Sequence, residues 1–218
     1  MMDQLGHERF IVVGHDRGAR AAYRMALDAP HRVDGFASLT VIPTIDVWER
    51  IHGRFALCAP HWFLYAQPVD VLENLLAPNP VAYLNAVLAG MVGDLAGGLG
   101  KLDPLALAHY RDAFSRREVR EAIYRDYKAA LSVDLEHERA DREAGVRIRC
   151  PVFYLWDAAN ARQADPLATW KRWADDVSGA GIGGGHLQPE MASTEILAHL
   201  LPFVERIHAG STHANASS

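Results

Sequence analysis

The chain has 218 residues, half of them hydrophobic and 22% charged, a composition that excludes a disordered chain and suits one globular domain or one domain with an insertion. Its 27 acidic against 22 basic residues leave a net charge of −5, which argues against a sequence-independent nucleic-acid binder. No apolar run reaches the roughly 18 residues of a membrane span, and the polar opening MMDQLGHERF lacks the order of a signal peptide. The expectation is therefore a cytoplasmic protein with no membrane or nucleic-acid partner, and with Cys58 and Cys150 as reduced thiols.

The β-branched run Phe10–Val13, closed by Gly14, predicts a buried strand. A helix is predicted over 18–28, with Ala19, Ala22, Tyr23, Ala26 and Leu27 on one face and Pro30 as its boundary. VDGFASLTVI at 33–42 predicts a second strand, so the start of the chain reads as a βαβ unit with parallel strands. From 51 to 145 the pattern turns helical, punctuated by Pro60, Pro68, Pro78, Pro80 and Pro104. The β pattern returns as CPVFYLW at 150–156. A helix packing Leu167, Trp170 and Trp173 follows, then a short strand near 180–182, the glycines 183–185 and a last helix over 193–207. The tail from Gly210 is expected to be disordered.

The glycines at 93–100 lack the spacing of a phosphate-binding loop. The eleven histidines form neither His-Glu-x-x-His nor a zinc-spaced Cys/His set, so no metal is expected. Gly14-His15-Asp16-Arg17-Gly18 lies between a predicted strand and a predicted helix, the setting of a nucleophile elbow. Small residues at Gly14 and Gly18 suit a sharp turn and close strand–helix packing, and the turn thrusts the middle side chain outward. That side chain is Asp16. A carboxylate can displace a leaving group from saturated carbon, giving an ester of the enzyme that water then hydrolyses. The water needs a base, and His186, on a late loop after three glycines, is the candidate. An aspartate that caps a helix N-terminus would look similar in isolation.

The segment GHDRGARAAYRMALDAPHRV at 14–33 resembles the elbow and following helix of haloacetate (fluoroacetate) dehalogenases in the α/β-hydrolase superfamily. The resemblance continues through IPT at 42–44, HW at 61–62, AQP at 66–68, ENLL at 73–76, HYRDAF at 109–114, DYKAA at 126–130, DLEHE at 134–138 and GGHLQPE at 184–190. It implies an α/β-hydrolase fold: a core at 1–50 and 146–218 with a helical cap inserted at 51–145. It implies that Asp16 displaces halide from a haloacetate, that Arg17 and Arg20 hold the substrate carboxylate, and that His61, Trp62 and Tyr127 bind the halide. The substrate would be a small halogenated carboxylate, with no cofactor. Forked guanidinium contacts and three polar-hydrogen donors suit those tasks. Epoxide hydrolysis, or an inactive remnant of the fold, are the alternative readings.

Three departures stand out. Thr40 occupies the place where the family has the acid that orients the histidine; Asp157 or Asp46 could stand in, although Asp157 reads equally as a loop aspartate. Met91 replaces a cap tryptophan, which predicts a roomier pocket. The elbow also comes early, so roughly 80–100 residues of strands and crossovers expected before it are missing. The elbow strand would then lie at a sheet edge, open to pairing with another chain, and a homodimer is one expectation.

Overall fold

The computed structural model describes residues 1–51, 59–92, 97–160 and 165–215. Two compact units emerge: Met1–Pro43 with Ala144–Ser218, and Thr44–Glu143.

The first unit is built on a parallel sheet. Its strands are β1 (Phe10–His15), β2 (Val33–Leu39), β3 (Val152–Asp157) and β4 (Val177–Ile182), paired in that order. Helix α1 (Arg17–Asp28) connects β1 to β2 and buries the predicted face of Ala19, Ala22, Tyr23, Ala26 and Leu27. β2 stops at Leu39, short of the predicted Ile42. Thr40 takes a positive φ of 64°, which turns the chain out of the strand, and its N–H donates to the Leu155 carbonyl at 2.8 Å. The Ser38 hydroxyl then bonds the Val41 carbonyl at 2.7 Å and closes the turn.

The second unit contains α2 (Thr44–Trp48), α3 (His61–Leu64), α4 (Val69–Leu76), α5 (Pro80–Val92), α6 (Pro104–Ser115), α7 (Arg117–Ala130) and α8 (Val133–Glu143). No strand lies among its described residues. The unit begins at Thr44, ahead of the expected 51, because α2 is tied to α8. The buried Glu138 carboxylate accepts the Ile45 N–H at 2.7 Å, and Arg142 reaches Asp46 at 3.1 Å. Asp103 caps α6 by accepting the Leu105 and Ala106 N–H groups, both at 2.9 Å, and Pro104 fills the first helical position. The interior holds Trp62, Tyr65, Leu72, Leu76, Tyr124 and Tyr127. A forked Arg120–Glu73 pair lies buried beside them at 2.8 and 2.6 Å, and the Tyr124 hydroxyl also donates to Glu73 at 3.2 Å. Both members of the pair have left water, so two parallel bonds and the phenol compensate for the lost hydration.

The sheet of the first unit is covered on both faces, as a parallel sheet must be. On one, Trp170 is fully buried among Tyr23, Phe36 and Tyr154, and its indole N–H donates to the Val41 carbonyl at 3.2 Å. It belongs to α9 (Ala168–Lys171), and Trp173 just beyond is equally buried. On the other, Ala37, Leu39, Phe153, Leu155 and Ile182 pack against Ala192, Ile196, Phe203 and Ile207. The last helix, which follows the short α10 (Gln188–Met191), is α11 (Ser193–Asn215). It continues beyond the predicted end at 207 into the segment expected to be disordered, since a lone Gly210 costs a propagating helix only about 1 kcal/mol. No single helix among the described residues is long and apolar enough to cross a membrane.

Candidate active site

The elbow is a strained turn between β1 and α1. Asp16 adopts φ 48° and ψ −123°, a region that non-glycine residues rarely occupy and that is often found at functional positions. The two flanking glycines differ. A side-chain carbon on Gly14 would lie 2.5 Å from Ala19 Cα, so close strand–helix packing requires glycine there. The same carbon on Gly18 would meet nothing within 4 Å, so the packing reason expected for Gly18 does not hold.

His186 arrives from the far end of the chain, on the turn Gly185–Leu187 after β4. Gly184 and Gly185 bring it there with φ of 90° and 62°. At Gly184 a side chain would also press on Ala192 and Met191, so the turn favours glycine on two counts. The imidazole spans the site. Its Nε2 lies 3.8 Å from the Asp16 carboxylate, an electrostatic contact too long for a hydrogen bond. Its Nδ1 lies 3.3 Å from the Thr40 hydroxyl.

Burial raises the Asp16 carboxyl pKa, but His186, Arg20 and His15 outweigh it and hold the group down at about 2. Asp16 is thus an anion at neutral pH. Arg20 is buried and its guanidinium also faces the Ile42 carbonyl at 3.5 Å, whereas Arg17, at the head of α1, is half-buried.

Thr40 was read at the position of the family's orienting acid, with Asp157 or Asp46 as candidate stand-ins, and the group at Nδ1 is the Thr40 hydroxyl. Asp157 ends β3 and accepts the Ala159 N–H at 3.2 Å, the loop role that was its other reading. Asp46 is buried in the helical unit beside Arg142. His15 was missed. Its Nε2 lies 2.7 Å from the His186 carbonyl oxygen and its ring centroid 5.2 Å from that of His186. The signal available in the sequence was its place between Gly14 and Asp16.

In the helical unit, His61, Trp62 and Tyr127 come together. The Tyr127 ring meets His61 at 5.7 Å and Trp62 at 6.1 Å, edge to face. Tyr65 and Trp48 extend the group, at 5.1 Å from Tyr127 and 5.8 Å from Trp62. Burial, and then their mutual interaction for Tyr65, keeps the Tyr65 and Tyr83 phenols protonated. Met91 lies half-buried in α5, and Cys58 lies outside the described residues. Cys150 is buried, and burial pushes its thiol up to about 11, so it is an inert thiol at neutral pH. No cluster of three metal-ligating side chains occurs among the described residues.

The α/β hydrolase fold family matches residues 1–175. The chain is similar to a fluoroacetate dehalogenase from Burkholderia sp, 30% identical over 188 residues, covering 85% of this chain and 60% of that protein. It therefore spans less than two thirds of that relative's length. Among solved structures it is similar to a proposed epoxide hydrolase from Pseudomonas aeruginosa, with 46% identity and a TM-score of 0.90, covering 95% of this chain and 69% of that one. A mutant of that protein has been solved with bound MFA. A proposed α/β hydrolase from Nostoc is 41% identical with a TM-score of 0.86, covering 93% of this chain and 68% of that one.

Proposed function

The chain belongs to the α/β-hydrolase fold family, and from that premise we propose that it hydrolyses haloacetates through an ester of Asp16. The observation that carries this reading is an ionised carboxylate, not a hydroxyl, on the elbow, with His186 Nε2 3.8 Å away. The likeness to a fluoroacetate dehalogenase supports it.

An Asp16 oxygen attacks the substrate carbon that bears the halogen. The carbon–halogen bond breaks, halide leaves, and a carboxymethyl ester of Asp16 remains. His186 then takes a proton from water as that water attacks the ester carbonyl. The acyl–oxygen bond breaks, and the leaving glycolate oxygen takes the proton back from His186. The second proton of the attacking water passes to solvent, and Asp16 is restored as a carboxylate. Arg17 and Arg20 hold the substrate carboxylate, matching its two oxygens with forked N–H donors. The donors His61, Trp62 and Tyr127 suit a departing halide by their chemistry, since fluoride in particular needs strong hydrogen-bond donors. No step calls on a metal or an organic cofactor.

Halide release from fluoroacetate and chloroacetate, compared between wild type and Asp16→Asn, tests the proposal. Release that disappears in the variant is expected. No release from wild type, or equal release from both proteins, would overturn it. Epoxide hydrolysis is the second reading. The protonated Tyr65 and Tyr83 favour it, because an opening epoxide oxygen needs a proton donor. Turnover of an epoxide panel without halide release would select it.

A further inference from the structure

We propose that His15 is a positioning residue, tethering the His186 turn to the strand that carries the nucleophile. This rests on the reading of His186 as the base for ester hydrolysis. The carbonyl of His186 can only accept, so the 2.7 Å contact requires a hydrogen on His15 Nε2. Burial favours the neutral ring, and the neutral ring that makes this bond carries its proton on Nε2 and donates to the main chain of the turn.

The tether matters because His186 has little else to aim it. The turn follows Gly183 and Gly184 and opens on Gly185, the residue type with the most backbone freedom to lose. The contact at the ring's Nδ1 is a neutral hydroxyl at 3.3 Å, and the approach to Asp16 at 3.8 Å is not a hydrogen bond. The His15 bond is the shortest of the three and is made to backbone. Its donor is the residue next to Asp16, so strand β1 places both the nucleophile and the base.

The charge environment agrees. Burial is the largest influence on His15 and favours the neutral ring; the hydrogen bond to the His186 carbonyl opposes it. The charge of the His186 ring acts with burial, Asp16 and Glu190 oppose it, and the net shift is downward. A neutral His15 also spares His186 a second cation 5.2 Å away when it takes up its proton.

The two chemical steps separate this role from general loss of structure. Forming the ester does not call on His186, whereas hydrolysing it needs an aimed base. In His15→Phe the ring is kept and the donor lost. Single-turnover halide release should persist, steady-state turnover should fall about tenfold or more, and carboxymethyl ester should accumulate on the Asp16 peptide by mass spectrometry. His15→Gln, whose amide can reach the same carbonyl, should recover most of the turnover. Equal turnover in wild type and His15→Phe, or no recovery in His15→Gln, would overturn the role. Nitrogen-15 NMR reads the tether without activity. It should show His15 protonated at Nε2 in wild type and a displaced His186 resonance in His15→Phe. The opposite tautomer, or an unmoved His186, would overturn the tether. A wild type that releases no halide but shows both NMR signatures would refute the proposed hydrolysis and not the tether.

Discussion

His186 turns Nδ1 toward the Thr40 hydroxyl at 3.3 Å, where the related hydrolases would be expected to place a carboxylate. A hydroxyl can orient a ring but cannot offset the charge that the ring would acquire in the proposed ester hydrolysis. Thr40 also holds φ 64°, a costly conformation for a β-branched residue and an easier one for aspartate.

Thr40→Asp should therefore speed the second half of the reaction. An opposite charge at hydrogen-bond distance typically raises an imidazole pKa by about one unit or more, which strengthens the base. We expect turnover of chloroacetate to rise by about tenfold and the steady-state Asp16 ester to fall. Unchanged or lower turnover, with the ester still accumulating, would show that Thr40 does not limit this step.

The acid stability of the folded chain should carry a signature of Asp16. Burial opposes ionisation here, yet His186 and Arg20 lower the pKa from an ordinary 3.8 to about 2. A depressed carboxyl stabilises the folded state above its unfolded pKa, and that contribution fades as pH falls through the folded value. The melting-temperature difference between wild type and Asp16→Asn should thus be flat above about pH 5 and change between about pH 4 and 2. The side chain is a third exposed, so the change should be modest. A difference that stays constant down to pH 2 would contradict the assignment.

The two elbow glycines should respond in opposite ways. Gly14→Ala pushes a carbon to 2.5 Å from the Ala19 backbone and should destabilise the chain by about 1–3 kcal/mol or more. Gly18→Ala meets open space inside helix α1 and should be neutral or stabilising by up to about 1 kcal/mol. Urea unfolding of both variants checks this, and equal losses would mean that both positions are closely packed.

Much of the core unit was readable residue by residue. FIVV before Gly14 signals a strand, and β1 forms there. It is half-buried with Val13 exposed, not buried as expected, because it lies at the edge of the described sheet. The small-residue face of Ala19, Ala22 and Ala26 signals a helix able to approach a sheet closely. Asp16 was legible because an elbow is a local object: strand, tight turn and helix lie within twenty residues. The end of β2 at Leu39 was not, because the turn at Thr40 depends on a hydrogen bond from its N–H to Leu155, on a strand more than a hundred residues later. The continuation of α11 to Asn215 was missed because one glycine was weighed as a stop when helix propagation tolerates it.

The sequence by itself determined the chemistry on offer. It contained an aspartate on an elbow, a late histidine after glycines, two arginines at the head of a helix and a set of aromatic donors, since residue type and spacing within one element are local properties. Only the tertiary structure decided what surrounds His186. The Thr40 hydroxyl faces Nδ1 of His186, and His15 holds the carbonyl of a residue 171 positions away. Those contacts depend on how parallel strands stack side by side, and that arrangement is set by burial across the whole sheet.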